Sequence, residues 1–385
     1  MQFAFAIVSL FPGGGLQRDC VYIARHIRKL GHDVTLFTSR KFGDEFATDL
    51  SLQILPVGDH SNHFRQRKFS DEFRKLAKGK FDLIVGFDKL SGLDILYCSD
   101  RSMQARAAHN PFLYLLPRYR EFISLEKECF APKLTTNVLL LSEPQLNEYW
   151  NSWATEQSRM VLLPPTLALD RRRPEYRTNG TRQKWRASLG FLPEDWVWIA
   201  ICVQPKTKGL DRTVRALRHF SGARLLIVGL EESETRSAKI NYLADQLDVA
   251  NRITWLGHRE NVSELMAAAD IFIYPARYDT TGTVILEAIA NGLPVVTTTA
   301  SGYARHVSSA NAGIVVQEPF RQRALVDALQ TARVMALNSR WSNSGSEYGK
   351  LSTLYMGRER AAELIIARAL ERTKAKSKEQ LHRPA

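Results

Sequence analysis

Two acidic residues eight positions apart, a lysine beside a glycine, and a run of three glycines are the parts of this chain whose types and spacing could do chemistry. The acidic pair is Asp279 and Glu287, within YDTTGTVILEAIANGLPVVT from Tyr278 to Thr297. That stretch reads as loop, helix, turn and buried strand, because the Asn-Gly-Leu-Pro that follows the apolar pattern cannot continue a helix. Glu287 falls among Val284, Ile285, Leu286, Ala288 and Ile289, where a carboxylate is expensive to bury without partners, so a buried acid with a ligand is expected there. The helix start offers the N–H groups of Gly282, Thr283 and Val284 to phosphate oxygens, while a carboxylate accepts hydrogen bonds from sugar hydroxyls. The plainer alternative makes Asp279 a helix cap and Glu287 a solvated edge residue; the apolar flanks argue against it more strongly for Glu287.

Lys206-Thr207-Lys208-Gly209 follows a strand-like run directly. A lysine at a strand's carboxyl end, beside a glycine that starts a helix, is placed to neutralise a pyrophosphate; otherwise the segment is an ordinary basic surface loop. Pro12-Gly13-Gly14-Gly15 lies between the first strand and the first helix. Three glycines permit positive φ and let backbone amides approach an anion at the positive end of a helix, although a tight turn without ligand uses the same residues. The loop is not GxGxxG and no acidic residue follows at the ribose position of a dinucleotide fold, which counts against a nicotinamide enzyme. Asp19, with Arg18, is expected on the first turn of that helix. An acid there often only complements the helix dipole, but its place beside the glycine loop makes it a site candidate.

These residues need a scaffold, and the hydrophobic pattern supplies one twice. Phe3 to Ser9, a helical pattern from Gln17 to Leu30 and a strand from Val34 to Thr38 form a βαβ opening. Further strands are expected at 52–57, 81–86, 95–98, 138–141 and 161–163. Around Pro164, Pro165 and the Arg-rich stretch 170–182 the periodicity lapses, marking a domain boundary. A second alternating series follows, with strands at 197–203, 224–228, 253–255, 271–274, 294–298 and 314–316. Two successive parallel α/β units imply two doubly wound sheets facing a cleft, with the ligand at the carboxyl ends of their strands.

The totals agree with two packed domains. The 385 residues carry 53 Lys plus Arg against 40 Asp plus Glu, a net charge of +13, and 44% apolar residues, the mixture of a folded globular chain. Such an excess favours acidic partners: nucleic acid, a phosphorylated glycolipid or an anionic bilayer. The opening MQFAFAIVSLF has no basic segment before it and runs into Pro-Gly-Gly-Gly, so it reads as a first buried strand rather than a signal peptide, and a cytosolic location is expected. Cys20, Cys98, Cys129 and Cys202 are scattered and read as buried thiols. No metal-ligand cluster stands out, so neither a metal nor another cofactor is expected.

From Met103 to Phe130, Arg106, His109, Arg118 and Arg120 are interleaved with Phe112, Leu113, Tyr114, Leu115, Leu116, Tyr119 and Phe122. That mixture suits a segment lying on anionic lipid; a core-packed helix with a solvated basic face has the same composition.

Taken together, FPGGGLQRD, the Lys-Gly after the second domain's first strand, ENVSELMAAADIFIYPA, and acid-x7-Glu followed by AIANGLPVV resemble a GT-B retaining glycosyltransferase of family 4. FPGGGLQRD, VGFDKLSGLD, the RYR segment near Tyr119 and SGYA near Tyr303 look closest to the lipopolysaccharide core glucosyltransferases, which transfer glucose from UDP-glucose to an inner-core heptose. The resemblance runs through nearly the whole chain. It implies two Rossmann-like domains: residues 1–168 on the acceptor side, completed by a C-terminal helix at about 357–375, and 169–356 for the nucleotide sugar, with a polar tail at 376–385.

By position it further implies that Gly14 and Gly15 line the diphosphate and donor sugar, that Asp19 sits near the reacting centre, and that Asp100 touches the sugar. Lys208 would neutralise the diphosphate, Asp279 meet the sugar hydroxyls, Gly282 to Val284 hold phosphate, and Glu287 bind the ribose. Two departures stand out: Asp279 replaces the family's glutamate, and the arginine that usually precedes the lysine by a short spacing has no match, Thr207 occupying the neighbouring position and Lys206 offering a substitute. The implied partners are a nucleotide sugar, a lipopolysaccharide core acceptor and the anionic cytoplasmic face of the inner membrane, with the protein peripheral on it. A family-4 transferase for another lipid-linked or exported polysaccharide shares these motifs. A non-catalytic basic module binding membrane or nucleic acid has to treat the two anion loops and the acid pair as coincidence, and no nucleic-acid motif supports it.

Overall fold

Strand formation at the sheet centres follows burial on both faces, as parallel sheets require. The computed structural model describes residues 1–58, 61–335 and 339–381, with side chains through residue 375. The chain divides into two compact units, residues 1–164 with 356–385, and residues 165–355. The boundary falls four residues before the 168/169 expected from sequence, because Leu167 N–H bonds to the Leu354 carbonyl at 2.9 Å and thereby joins the second unit.

In the first unit the strands are β1 (Gln2–Ala6), β2 (Ser9–Leu10), β3 (Asp33–Thr38), β4 (Arg40–Lys41), β5 (Ser51–Ile54), β6 (Leu83–Gly86), β7 (Ile95–Cys98), β8 (Asn137–Leu140) and β9 (Met160–Leu162). Among the described residues seven of them form one sheet, in the order β5-β3-β1-β6-β7-β8-β9, while β2 and β4 pair with each other as a small separate ribbon. The expected first strand is thus interrupted at Ile7-Val8: its far end leaves the main sheet and pairs Ser9 with Arg40 and Leu10 with Lys41. Helices α1 (Gly15–Lys29), α2 (Asn62–Ala77), α3 (Met103–His109), α4 (Pro117–Phe130) and α5 (Glu143–Trp153) make the crossovers.

The second unit repeats the scheme with β10 (Trp196–Ile201), β11 (Ala223–Val228), β12 (Ile253–Trp255), β13 (Ile271–Tyr274), β14 (Val295–Thr298) and β15 (Gly313–Val316), in the sheet order β12-β11-β10-β13-β14-β15. Its helices are α6 (Thr181–Ser188), α7 (Pro205–Lys208), α8 (Leu210–Leu217), α9 (Ala238–Gln246), α10 (Val262–Ala268), α11 (Thr283–Ala290), α12 (Ala304–Ser309), α13 (Gln322–Met335) and α14 (Arg340–Tyr348). The strand order of this sheet reverses between β10 and β13, the position where open α/β sheets bind ligands beyond their carboxyl ends.

The last helix, α15 (Gly357–Leu381), returns to the first unit, where Ala361, Ala362, Ile365 and Ala369 join the core that also holds Cys20, Ile23 and Ile27 of α1. It runs past the expected end near 375; residues 382–385 of the expected tail lie outside the described residues. All four cysteines are buried free thiols.

Candidate active site

Lys208 and Asp279 are brought together by two neighbouring strand ends. β10 and β13 lie side by side; the first is followed by α7, the second by the loop that carries Asp279. Lys208 Nζ donates to Asp279 Oδ2 at 2.7 Å, and the hydroxyl of Tyr274, last residue of β13, donates to the same oxygen. Lys208 Nζ also sits 5.6 Å from the centre of the Tyr274 ring. Burial, with the adjacent Asp279 charge adding to it, pushes the Tyr274 hydroxyl well above its ordinary pKa, so it stays a proton donor to the carboxylate.

The two loops are stitched to each other. Arg277 N–H bonds to the Thr207 carbonyl at 2.8 Å, Arg277 Nη1 to the Lys206 carbonyl at 2.8 Å, and its guanidinium takes both oxygens of Asp211 at 2.6 and 2.7 Å. Gly209, at φ +73°, permits this approach, since a Cβ there would stand 2.0 Å from the Pro275 carbonyl oxygen. On the other side Asp279 N–H bonds to the Ala300 carbonyl, Gly302 N–H to the Asp279 carbonyl and Tyr303 N–H to the Thr281 carbonyl. The SGYA segment therefore fixes the acidic loop from behind.

Gly282, at φ +73°, caps α11 without a side-chain hydrogen bond. Among the described residues no backbone acceptor takes the N–H of Gly282, Thr283 or Val284, so three amides are presented at the helix's positive end. Glu287 corrects the sequence reading: it is half-buried rather than buried, because the last turns of α11 hide Ala288, Ile289 and Ala290 while position 287 faces the helix margin. Lys206 stands exposed; its backbone, not its ammonium, takes part in the stitching.

In the first unit Asp19 is the organised acid. It is 7% exposed. Its Oδ2 accepts from the Tyr97 hydroxyl at 2.8 Å and its Oδ1 from Arg358 Nε at 2.7 Å. Burial works against the Arg358 cation, but Asp19 outweighs it and holds the guanidinium pKa above its ordinary value. Asp19 is not on the first turn: α1 starts at Gly15, which puts it on the second turn, so dipole complementation does not account for it. The glycine loop also differs from expectation. None of Gly13, Gly14 and Gly15 has positive φ; Gly14 is extended at φ −90°, and a Cβ on it would strike the Gln17 amide and the Phe11 ring. Close packing, not left-handed backbone, calls for glycine at 14, whereas a Cβ at 13 or 15 would meet open space. Asp100 is exposed beyond β7, with its carbonyl accepting from Gln145 Nε2 at 2.6 Å and the Tyr149 hydroxyl at 3.0 Å. Asp88, after β6, accepts from Val8 N–H at 2.6 Å, and burial pushes its pKa up to about 6.

The helix start with unclaimed amides and the lysine–carboxylate pair lie beyond the strand ends at the sheet's switch point, where open α/β sheets bind ligands. Residues 181–345 match the family model described as glycosyl transferases group 1. The lipopolysaccharide glucosyltransferase WaaG of Escherichia coli K12 is 33% identical over 376 residues, covering 95% of this chain and 98% of that protein. The chain belongs to the WaaG family of glycosyltransferases. A crystal structure of WaaG, described as a glycosyltransferase involved in lipopolysaccharide biosynthesis, superposes with a TM-score of 0.85 at 32% identity over 94% of this chain and 99% of that one. The fold is thus GT-B, two Rossmann-like domains. Anabaena HepE in complex with UDP-glucose shares that fold at 16% identity, with a TM-score of 0.68 over 98% of this chain and all of the other.

In this WaaG family member the segment 103–130 is not one helix. It breaks into α3, a 3-10 turn at Pro111–Leu115 and α4. Phe112 is 78% exposed and Leu115 75%, with Leu116 and Tyr114 also exposed. Arg106 of α3 and Arg118 and Arg120 of α4, flanking this turn in the chain, are exposed; Arg106 lies over the Tyr119 ring at 5.8 Å and Arg118 over Phe122 at 5.7 Å. This face is therefore not packed into the core. Its footing is rigid: the fully buried Glu126 of α4 accepts from Lys89 Nζ, Ser102 Oγ, Met103 N, Gln104 N and Trp153 Nε1.

Sequence reasoning missed Tyr274, Tyr97, Arg358 and Arg277. Tyr274 was visible as a polar tip closing the apolar run IFIY. Arg358 left no signal, standing 339 positions from its partner.

Proposed function

We propose that this chain is a retaining hexosyltransferase that moves glucose from UDP-glucose to a heptose of the lipopolysaccharide inner core, as a peripheral protein on the cytoplasmic face of the inner membrane. The observation that carries the reading is the Lys208–Asp279 pair beside the unclaimed amides of residues 282–284. In this reading the incoming diphosphate takes the Lys208 ammonium and those amides, Asp279 turns to the sugar hydroxyls, and Glu287 accepts from the ribose. The family resemblance assigns Gly14, Gly15, Asp19 and Asp100 to the donor sugar and the reacting centre.

The bond from the sugar's anomeric carbon to the diphosphate breaks, and a bond to the acceptor oxygen forms on the same face. The leaving diphosphate oxygen takes the acceptor hydroxyl's proton. Lys208 and the helix-end amides stabilise the charge that develops on the diphosphate, which is where preorganised donors act most strongly. Because that charge is met by protein groups, turnover is expected to be unaffected by EDTA. The exposed Phe112, Leu115 and Leu116, flanked in the chain by Arg106, Arg118 and Arg120, support the membrane assignment.

The test offers the purified protein a panel of nucleotide sugars and follows thermal stabilisation and nucleotide release with inner-core oligosaccharide present. UDP-glucose is expected to give the largest response and an α-linked product. Preference for another sugar would correct the donor, and an inverted product would overturn the mechanism. Sedimentation with anionic but not with zwitterionic vesicles is the expected outcome for the membrane assignment; binding indifferent to lipid charge contradicts it.

A further inference from the structure

We infer that the loop after β3 is an acceptor subsite for an anionic sugar, with the exposed Phe42 ring as its platform and the Arg40 guanidinium as its anion contact. This rests on the transferase reading above and adds to it the part of the acceptor that is recognised.

The loop lies at the carboxyl end of the sheet, one strand away from the switch point between β1 and β6. β1 and β3 are neighbours, and the glycine loop and the Phe42 loop leave their carboxyl ends side by side. The Phe42 loop is held against the glycine loop by main-chain bonds. Ser9 pairs with Arg40 and Leu10 with Lys41, Phe42 N–H bonds to the Leu10 carbonyl at 2.8 Å, and Ser39 N–H bonds to the Val8 carbonyl at 3.1 Å. Gly43, at φ +77°, lets the chain turn against Pro12, whose Cδ would stand 3.2 Å from a Cβ at that position.

On this fixed backbone Phe42 keeps 49% of its surface exposed. Single exposed aromatics are ordinary, and this one differs in being rigidly mounted beside the glycine loop with a cation already on its ring. Arg40 Cζ lies 5.2 Å from the ring centre, and Arg40 Nε donates to Ser9 Oγ at 3.0 Å. Among the described residues no carboxylate pairs with the Arg40 guanidinium, which is exposed, so its terminal nitrogens remain for an anion. The neighbouring Lys41 ammonium donates to the exposed Asp44 carbonyl at 2.9 Å, leaving Arg40 as the planar fork of the loop. A ring that packs against the C–H face of a pyranose, beside a fork that matches a carboxylate or phosphate, selects a sugar bearing one of those groups.

The experiment measures binding of deacylated inner-core oligosaccharide to the full chain by calorimetry, using the intact oligosaccharide, a phosphatase-treated sample and a carboxyl-reduced sample. UDP affinity of each variant serves as the control for folding. Phe42→Ala is expected to weaken binding of all three samples ten-fold or more, and Phe42→Trp to restore it. Arg40→Gln is expected to weaken the intact sample and to erase its advantage over whichever treated sample has lost the contacted anion, identifying phosphate or carboxylate. If wild type binds and both Phe42→Ala and Arg40→Gln bind within two-fold of it, the subsite is overturned while the transferase reading stands. If wild type binds UDP-glucose but no oligosaccharide, the acceptor assignment and the subsite fall together.

Discussion

The two units each hold a carboxylate against a cation, and the pairs are built for different purposes. In the second unit Lys208 and Asp279 come from short loops on adjacent strand ends, with left-handed glycines at 209 and 282 beside them. Their side chains are 22% and 14% exposed. In the first unit Asp19 has both oxygens occupied, by Tyr97 and by Arg358 on a helix that returns from the far end of the chain. The first arrangement leaves a lysine and an acid partly exposed and satisfied by each other; the second is a strut that fixes a carboxylate and ties α15 to α1. A pair that ligand can divide should matter to turnover more than to stability; in the other pair the Arg358 side of the strut should show the reverse balance, with Asp19 its fixed end.

The sharpest way to break that contrast is Lys208→Ala. Turnover is expected to fall ~10²–10³-fold, as when one preorganised donor to a developing oxyanion is removed, with the melting temperature little changed. Unfolding without loss of turnover would make the pair structural. Next in size is a pH effect in the first unit. Asp88 has its folded pKa pushed up to about 6 by burial, from an ordinary 3.8. Its ionised form therefore costs stability above about pH 6, and the cost disappears as pH falls through 6 toward 3.8. Asp88→Asn removes the titration, so wild type should gain on the variant by at most ~3 kcal/mol between pH 7.5 and 4 in urea unfolding. A constant difference across that range would mean that the carboxylate is better hydrated than its setting implies.

Most strands were legible because their β-branched and aromatic runs are buried on both faces, as at Ile95–Cys98 and Ile271–Tyr274; the half-buried edge strand Ile253–Trp255 also falls where the pattern put it. That Lys208, Asp279 and Gly282 stand beyond strand ends was legible from glycine and charge beside those runs. Asp19 was found for an incomplete reason, since its setting depends on Tyr97 and Arg358, contacts that no local pattern encodes. Glu287 was read as buried because its neighbours are; helical periodicity carries position 287 to the margin of an otherwise hidden helix. The ribbon of β2 and β4 escaped notice since two-residue strands leave no period to read.

Removing the strut tests the other half of the contrast. Arg358→Ala leaves Asp19 with Tyr97 alone and a poorly compensated charge, and ~1–3 kcal/mol of stability should be lost. Arg358→Lys should recover part of it, because a lysine reaches Oδ1 without reproducing the guanidinium's packing over the Tyr22 ring, now 5.3 Å from Arg358 Cζ. If Arg358→Ala left stability unchanged and abolished turnover, Arg358 would belong with Lys208 among the groups that face ligand.

The smallest change is the most specific to this chain. Asp279→Glu adds one methylene between a loop tied to Ala300 and Gly302 and an oxygen shared by Lys208 and Tyr274. The backbone anchors hold the residue's start, so the longer carboxylate must push past its present partners toward the space a donor sugar would take. Lys208 can follow on a flexible stem, whereas the Tyr274 hydroxyl, at the end of a buried strand, cannot. The expected result is a change in kcat/KM for UDP-glucose of about ten-fold or less, ~1 kcal/mol, with a larger change in the ratio of UDP-glucose to UDP-galactose use. Asp279→Asn keeps the length and removes the charge, and should cost more turnover than Asp279→Glu. If the two variants lost turnover equally with the donor ratio unaltered, Asp279 would serve only to hold Lys208, and the sugar would be read by another residue.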